Sequence, residues 1–546
     1  VYGDVMLNFN YNINRFDIAA TVGWTGRYEN MNNMRVSTNG GLVTENWFDL
    51  NASRYTPSST LQRMELLKTG YMGTLSLGWD NYLFLELTGR QERSSTLKDQ
   101  SFFYPSANLS FLFTQAFHMP SWWNYGKLRL SYGIVGNAPE TYTANIVYEQ
   151  GSDNGFTWNT IPSSWGNADI RPEKKYEYEI GLESKFLNNR LGIDISYYNN
   201  RVKDQILSTP QPSTSGVKNV LMNVGEVANR GWDISISATP ILTRDFRWDL
   251  TANYGVYKNK VVKLADGVPY LEILNSGGSG IKIQAVEGQP MGDIYAQVPQ
   301  VNENGEYLVS DKGLYLNQTE LQKVGNINPA GVGGLFNSFS YKNVFLDFSI
   351  DFRIGGDVIN EMNQYATAVG LTPESLKYRD TEHGGLSYYY PGDNNSSGIP
   401  VQVDPSTGAG PNGEIIYHDG IILPGVVAST GERNTRIIPA GYYYNTTYNW
   451  GTEAEQLTYR HSVFDNSYVK LRELTIGYQF PEKMISKLGL GRLSVSVFGR
   501  NLFYFYKALK NYDAESSVGT SWANQATVGS STTATRSFGV SLRASF

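Results

Sequence analysis

The feature that most constrains the fold is a strict alternation of apolar with small or polar residues, which recurs along the whole chain. In the segment 344–354, apolar residues occupy the even-numbered positions, and Asp347, Ser349 and Asp351 stand between them. A period of two is that of a β-strand with one apolar face. Helical periodicity is scarce, and its best candidate is the stretch 357–376. The alternation therefore predicts an all-β protein.

The alternation predicts about fifteen strands, most of them longer than the roughly five or six residues of a typical globular strand. About 9–11 residues cross a bilayer obliquely, so these lengths suit a large antiparallel up-and-down transmembrane β-barrel. The predicted strands are 3–12, 16–28, 64–79, 81–93, 103–117, 127–136, 175–187, 190–203, 223–239, 245–258, 334–342, 344–354, 465–480, 491–503 and 534–546.

The connections between the predicted strands fall into two alternating classes, short turns and longer links. In a membrane barrel, short turns lie on one side of the bilayer and long loops on the other. We therefore expect a single transmembrane β-barrel domain over 1–546, with long extracellular loops on one side. The predicted loops lie near 29–63, 137–174, 259–333, 355–464 and 504–533.

A soluble β-sandwich or β-propeller would also alternate apolar and polar residues. It would leave the long strands, the aromatic strand ends and the two classes of connection without a common cause. In a membrane the cause is shared, because the apolar face meets lipid while Tyr and Trp collect at the headgroups. The pattern therefore favours a barrel embedded in membrane lipid.

Composition excludes several other classes of function. Lys and Arg number 45 against 51 Asp and Glu, a net charge of −6, whereas a nucleic-acid partner needs a clustered basic excess. No apolar run approaches the roughly 20 residues of a membrane-spanning helix. The absence of Cys removes disulfides, thiolate metal sites and Cys nucleophiles together.

Motifs for catalysis and metal binding are missing or weak. The four His residues form no His-Glu-x-x-His pattern, and no Gly-x-Ser-x-Gly elbow is present. The segment 408–413 fits Gly-x-Gly-x-x-Gly, but it contains Pro and lies in a polar link, which predicts a turn cluster. The segments 302–305 and 311–313 lack the ligand spacing of a calcium loop and are interpreted as two turns. We therefore predict no enzyme activity, no metal site and no cofactor.

Five stretches carry a family signal when they are read together with Gly-Gly-Asp at 355–357 and His-Asp-Gly at 418–420. They are Leu-Arg-Leu-Ser-Tyr-Gly at 128–133 continuing to Asn137, Ile-Arg-Pro-Glu-Lys at 170–174 with Tyr-Glu-Ile-Gly-Leu-Glu at 178–183, 223–231 ahead of Trp232, Ser-Tyr-Val-Lys-Leu-Arg-Glu-Leu at 467–474, and Gly-Arg-Asn-Leu-Phe at 499–503. In order and spacing, these stretches resemble the C-terminal barrel portion of SusC/RagA-type TonB-dependent outer-membrane transporters.

The resemblance implies a twenty-two-stranded barrel, an N-terminal plug that contacts the TonB complex, and a SusD-like lipoprotein as a lid. It also implies energised import of oligosaccharides or oligopeptides across the outer membrane. Nothing in this chain resembles the plug or the TonB box. Two alternatives remain open: a passive porin-like channel, and a non-transporting barrel that anchors a binding surface.

The odd strand count leads to an expectation about the edge of the barrel. Single-chain bacterial barrels have an even number of strands, and both termini lie on the periplasmic side. Tracing the alternation back from the last strand makes 3–12 run towards the periplasm. We therefore expect seven strands and a plug to precede Val1, and strand 3–12 to pair with a segment outside this sequence.

Aromatic clusters in the long links are the only feature that resembles a binding site. Flat rings among Asn, Gly, Ser and Asp suit glycan or peptide ligands with polar edges and apolar faces. The alternative for each ring is an interfacial position or packing of loop against loop. Acidic and basic residues such as Asp351 and Arg353 are expected to form hydrated wall or inter-strand pairs, and Phe546 to act as a terminal assembly signal. The candidate ligand-binding residues are Trp158, Trp165, Tyr388, Tyr389, Tyr390, Tyr442, Tyr443, Tyr444 and Trp450.

Overall fold

The computed structural model contains one fifteen-stranded antiparallel sheet, in which the strands follow one another in chain order. It describes residues 1–98, 101–153, 155–211, 213–276, 280–392, 394–449, 458–517, 519, 521–529 and 534–545. All fifteen predicted strands are confirmed in the predicted order. They are β1 Tyr2–Ile13, β2 Phe16–Leu42, β3 Ser53–Trp79, β4 Leu83–Ser94, β5 Ser101–Phe111, β6 Trp123–Asn137, β7 Glu173–Phe186, β8 Leu191–Lys203, β9 Glu226–Leu242, β10 Phe246–Lys263, β11 Gly331–Tyr341, β12 Val344–Ile354, β13 Tyr468–Gln479, β14 Arg492–Lys507 and β15 Ser537–Ser545.

Helices are few and short. They are α1 Phe113–Ala116, α2 Glu361–Ala368, α3 Ala440–Tyr448 and α4 Glu482–Ile485, with 3-10 turns at Leu50–Ala52, Ser213–Ser215, Pro373–Leu376, Tyr459–Ser462, Ser486–Leu488 and Asn524–Ala526. The helical candidate at 357–376 is confirmed by α2 and the 3-10 turn that follows it. Among the described residues, no helix has both the length and the apolar character needed to cross a bilayer.

The connections also carry short strands that lie outside the large sheet. They are Glu149–Asp153, Phe156–Thr160, Ser164–Trp165, Ile206–Pro210, Asn219–Asn223, Tyr270–Ser276, Ile281–Val286, Asp293–Ala296, Leu308–Val309, Gln322–Asn326, Asp357–Ile359, Leu386–Tyr389, Val401–Gln402, Tyr417–Ile421, Val426–Val427, Ile438–Pro439 and Val463–Asp465.

The main difference from the predicted boundaries is the length of the β2–β3 hairpin. Its ladder runs from Phe16 opposite Trp79 to Leu42 opposite Ser53, so most of the predicted loop at 29–63 is strand. The apolar alternation fades there because Asn, Ser, Thr and Arg dominate, while the backbone hydrogen bonds continue. Sequence periodicity detects the membrane-facing part of a strand, and the ladder extends beyond it.

The chain divides into two compact units, Val1–Ile234 with Lys258–Pro269 and Ser235–Tyr257 with Tyr270–Phe546. In the first unit, the strands show the expected two faces. On the polar face Arg129 of β6 bonds Asp194 of β8, with 2.6 Å between Nη2 and Oδ1. On the other face Tyr178, Ile180 and Leu182 of β7 are exposed. This arrangement is that of a strand wall with one face for lipid and one for water.

Two connections of the first unit are tied together by Asn223. Its Oδ1 accepts a hydrogen bond from the backbone N–H of Arg171 at 2.7 Å, and its Nδ2 donates to the carbonyl of Arg171 at 2.7 Å. The same Nδ2 also donates to the carbonyl of Asp204 at 2.9 Å. The Ile-Arg-Pro and Asn223 stretches of the family resemblance therefore meet in one hydrogen-bonded clamp.

In the second unit, three long connections share one hydrophobic core. The contributing connections are 264–330, which belongs to this unit from Tyr270 onwards, 355–467 and 508–536. All three leave the sheet at the same end of its strands. Burying these side chains in one cluster stabilises the connections as a folded layer, since each apolar residue removed from water contributes about 1.5–3 kcal/mol. The core residues are Ile281, Ile283, Ile294, Ala296, Ile327, Ile359, Tyr459, Val463, Ala523 and Ala526.

Candidate functional site

A cavity of about 500 Å³ lies within the second unit, and tyrosines form much of its wall. The connection 355–467 supplies most of the lining, and we call it the tyrosine link. Glu374, Lys377, Gly384 and Pro424 stand at the rim, because they are the exposed members of the lining. We call the site the tyrosine cavity. Its lining residues are Tyr315, Glu374, Lys377, Tyr378, Gly384, Leu386, Gly420, Ile421, Ile422, Leu423, Pro424, Tyr443, Tyr444 and Tyr448.

Helix α3 positions three of these rings. Tyr444 is buried, and its hydroxyl donates to the carbonyls of Glu374 at 2.9 Å and Lys377 at 3.3 Å. These bonds fasten α3 to the 3-10 turn Pro373–Leu376. The guanidinium of Arg379 lies over the Tyr444 ring, 5.7 Å from its centroid. The position of Tyr444 is therefore fixed by packing and hydrogen bonds before any ligand arrives.

The other rings of α3 pack edge to face and stack. The Tyr443 and Tyr448 centroids are 6.1 Å apart in an edge-on contact, and Tyr448 stacks on His461 at 4.3 Å with 16° between the ring planes. Edge-to-face and offset stacked pairs are the favoured arrangements of aromatic rings. One side of the cavity is consequently a wall of interlocked rings.

Burial keeps this wall uncharged at ordinary pH. It raises the pKa of Tyr444 to about 12, and burial together with the nearby Tyr307 and Tyr378 raises the pKa of Tyr315 to about 12. Burial, followed by the positive charge of Arg460, lowers the pKa of His461 to about 4. The Tyr315 and Tyr444 phenols therefore stay protonated and the His461 imidazole stays neutral. Glu374 and Lys377 are the acidic and basic side chains of the lining.

The structure places the predicted Tyr388–Tyr390 run in a separate packing cluster. Tyr388 is 1% exposed, stacks on Tyr417 at 5.5 Å, and donates from its hydroxyl to Asp419 at 3.2 Å. Tyr390 is also buried, whereas Tyr389 is half-buried opposite Val401. Loop-against-loop packing thus accounts for the Tyr388 and Tyr390 rings.

Of the Tyr442–Tyr444 run, Tyr443 and Tyr444 line the cavity, and Tyr442 packs against the neighbouring core of Leu314 and Ile421. Sequence reasoning missed Tyr315, Glu374, Lys377, Tyr378 and Tyr448. None of them belongs to a run of rings in the sequence, and only the folding of the links brings the segments around Tyr315, Lys377 and Tyr448 together. Trp450 lies outside the described residues, as does Phe546.

The other two predicted tryptophans, Trp158 and Trp165, lie in the first unit, in the connection 138–172, which we call the tryptophan link. Trp158 sits on a two-stranded hairpin opposite Gly151 and is 46% exposed. Trp165 is half-buried and meets the ring of Tyr148 edge-on at 5.8 Å. Trp158 is therefore an accessible ring, and Trp165 is partly engaged.

A network of charges joins the connection 508–536 to the polar face of the second unit. Arg472 donates from Nε to Asp351 at 2.5 Å, from Nη2 to Glu515 at 2.5 Å, and from Nη1 to the side chain of Asn501 at 2.8 Å. Lys470 is buried and also pairs with Glu515. The interpretation of Asp351 as an inter-strand partner is confirmed. Two stretches of the family resemblance, around Arg472 and Asn501, meet here.

A sheet of long strands in chain order, with an apolar and a polar face and with long connections folded at one end, defines the class of outer-membrane β-barrel proteins. The model of the TonB dependent receptor-like β-barrel family matches residues 2–294. The chain belongs to this family, which is a family of receptors and transporters. The predicted resemblance, fold class and outer-membrane location are confirmed.

Curated relatives support the same family. TonB-dependent receptor P3 of Formosa agariphila is 24% identical over 494 residues, covering 82% of this chain and 42% of the relative. TonB-dependent receptor SusC of Bacteroides thetaiotaomicron is 30% identical over 247 residues, covering 42% of this chain and 24% of SusC. The chain therefore spans less than half the length of these relatives.

Among solved structures, the RagAB peptide transporter is similar to this chain, with a TM-score of 0.65 and 18% identity. The match covers 92% of this chain and 52% of the solved chain. A likeness at this level of identity shows the shared fold.

Proposed function

We propose that this chain is the barrel part of a TonB-dependent importer of oligosaccharides or oligopeptides, which works with a SusD-like surface lipoprotein and has no enzymatic role. The family and the names of its relatives support the transporter class. In this proposal, energy reaches the barrel through a plug segment that contacts the TonB complex. The chain described above supplies the wall and the folded connections.

The observation that carries the proposal is the shared core of the connections 264–330, 355–467 and 508–536. Connections that merely close a barrel need only a few residues, and long ones serve function when they are folded. A layer with its own core can present a fixed surface to a ligand and to a lid. The tyrosine cavity lies in this layer.

An exposed apolar surface on the tyrosine link supports the lid partner. Met362 and Val369 stand seven residues apart along α2 and its end, which places them on one helical face. Both are exposed, and Leu371 and Leu376 nearby are exposed by 78% and 51%. Apolar side chains grouped on a surface mark protein contacts. We assign this surface to the SusD-like lipoprotein.

Uptake measured with and without TonB tests the proposal. Cells carrying the complete gene should import labelled oligosaccharides or oligopeptides, and removing TonB should abolish the uptake. Uptake that persists without TonB would identify a passive channel. Absence of uptake, with the lipoprotein still bound, would identify a surface anchor.

Substitution of the apolar surface tests the partner. The double variant Val369→Glu with Leu371→Glu should strongly reduce co-purification of the lipoprotein, since charges in an apolar contact are desolvated without a partner. Met484→Glu is the matched control, because Met484 is equally exposed but lies on α4, in a short turn at the opposite end of the strands. Full recovery of the lipoprotein with the double variant would place the contact elsewhere.

A further inference from the structure

We propose that the tyrosine cavity receives one apolar side chain of a peptide, while the peptide backbone lies across the rim at Glu374 and Lys377. This inference rests on the proposed importer function and selects the peptide branch of it. Three features carry it: the chemistry of the cavity wall, the volume of the cavity, and the pair of charges at the rim.

The wall offers little to the hydroxyls of a sugar. The Tyr444 hydroxyl is already used by two backbone carbonyls, and the rings of Tyr443 and Tyr448 are packed edge-on against each other. Leu386 and Ile422 also line the cavity and supply aliphatic surface. A sugar placed here would leave hydroxyls without partners, and such unpaired polar groups weaken binding. An apolar side chain requires no partners and gains by leaving water.

The volume is large enough to take a single large apolar side chain below the rim. Pockets for small ligands measure about 300–1,000 Å³, and this one measures about 500 Å³. Tyr444, which is tied to the 3-10 turn, holds the wall in place. A preformed cavity of this kind binds without the penalty of ordering its own walls.

The rim carries one charge of each sign, which matches the polarity of a peptide backbone. The Glu374 carboxylate can accept from backbone N–H groups, and the Lys377 ammonium can donate to carbonyls. Lys377 is held over the Tyr378 ring, with Nζ 4.7 Å from the centroid. Asn511 donates to the Glu374 carboxylate at 3.3 Å. Both charges are therefore supported at the mouth of the apolar cavity.

A peptide series tests the inference on the full-length protein in its native complex. The probes are nonapeptides of Gly and Ser in which the central residue is Gly, Ala, Leu or Phe, and binding is measured by calorimetry. Affinity should rise from Gly to Ala to Leu and Phe, with at least about a tenfold gain from Gly to Leu. Equal affinities of the wild-type protein for all four peptides would overturn the inference, and this comparison requires no variant.

A variant pair locates the effect. Ile422→Trp fills the cavity and should reduce the Leu-to-Gly ratio to about twofold or less. Ile415→Trp is the control, because Ile415 is exposed in the same link but does not line the cavity, and it should keep the full ratio. An unchanged ratio in Ile422→Trp would overturn the assignment to this cavity.

A neutral heptasaccharide of glucose distinguishes the two substrate classes. Competition by this sugar at the cavity, lost in Ile422→Trp, would make the site a glycan subsite and overturn the peptide assignment. The uptake experiment stands apart from these results. If uptake depends on TonB but the four peptides bind with equal affinity, only the peptide assignment is rejected. If uptake continues without TonB, the importer proposal itself is rejected.

Discussion

The tryptophan link and the tyrosine link have similar compositions, with rings set among Asn, Gly and Ser, yet they place those rings differently. In the tryptophan link, Phe156 is 76% exposed and Trp158 is 46% exposed. In the tyrosine link, Tyr388 is 1% exposed and Tyr444 is 4% exposed. Composition alone therefore does not decide whether a loop ring forms a core or faces a partner.

The difference follows from how many elements converge on each ring. Trp158 has the opposite strand of its own hairpin, where Gly151 lies beneath the indole. Tyr388 lies on the strand Leu386–Tyr389, between the strands Val401–Gln402 and Tyr417–Ile421 of one small four-stranded sheet, and its hydroxyl has a partner in Asp419. A ring on an isolated hairpin is left for a ligand or a partner, whereas a ring inside a multi-stranded layer holds that layer together.

The largest expected effect is on the stability of the tyrosine link. Tyr388→Ala should lower its free energy of unfolding by about 3–5 kcal/mol, because a buried ring is lost and a cavity remains. Phe156→Ala in the tryptophan link should change stability by less than about 0.5 kcal/mol. Hydrogen exchange of the backbone amides in each link measures both. Similar losses at the two positions would break the contrast between the links.

A smaller effect is expected from one hydroxyl. Tyr444→Phe keeps the ring but removes the donor to the carbonyls of Glu374 and Lys377, which should cost about 1–2 kcal/mol. Trp158→Phe, which removes an indole N–H from an exposed ring, should stay within about 0.5 kcal/mol. Thermal unfolding in detergent compares the two. If Tyr444→Phe proves as neutral as Trp158→Phe, the hydroxyl does not fasten α3.

Acid should loosen the tyrosine link through His461. The pKa of this His lies near 4 in the folded protein and near 6.5 in an unfolded chain, so the unfolded state binds the proton first. Stability is complete above about pH 6.5, falls as the pH drops towards about 4, and levels off below it. The slope is that of one proton, at most about 1.4 kcal/mol per pH unit.

The variant His461→Phe should remove that component of the pH dependence while keeping the stack on Tyr448. The tryptophan link contains no His, so it should not lose stability through a His as the pH falls from about 6.5 to about 4. Hydrogen exchange between pH 7 and 4.5 follows both links at once. An identical profile in wild type and His461→Phe would show that His461 is not the responsive group.

The smallest expected effect on stability comes with an effect on binding. Trp158→Ala should leave unfolding within about 0.5 kcal/mol of the wild type, because the ring is exposed on a hairpin. If the ring serves a ligand or the lipoprotein, the same change should weaken that binding about tenfold or more, as for other aromatic anchors. Calorimetry and co-purification measure the loss. If Trp158→Ala binds the ligand and the lipoprotein as tightly as the wild type does, Trp158 is a solvent-exposed ring without a binding role.

The strands could be predicted from sequence because the membrane imposes a rule on every second residue. Val540 and Leu542 of β15 are exposed on one face, as the alternation requires, and the order of all fifteen strands follows. Strand ends were less predictable. In β2, the residues beyond Tyr28 continue the hydrogen-bonded ladder, but they are mostly polar. The apolar–polar alternation that predicts a strand is therefore missing there.

The tyrosine cavity could not be predicted in the same way. Tyr315 comes from one connection and Tyr443 from another, and no local pattern records that they meet. The sequence did mark Tyr443 and Tyr444 as part of a ring cluster. It could not separate them from Tyr388, since burial in a loop layer depends on contacts between segments distant in the chain.

The common core beneath the connections 264–330, 355–467 and 508–536 has a consequence for how this layer tolerates change. Segments that share one core unfold and refold as one cooperative body. Lengthening any of them at the core should disturb all three, whereas foreign peptides inserted at solvent-exposed turns such as 405–408 should be accepted. The exposed turns of this layer can therefore be exchanged individually, whereas a change in the shared core affects all three connections.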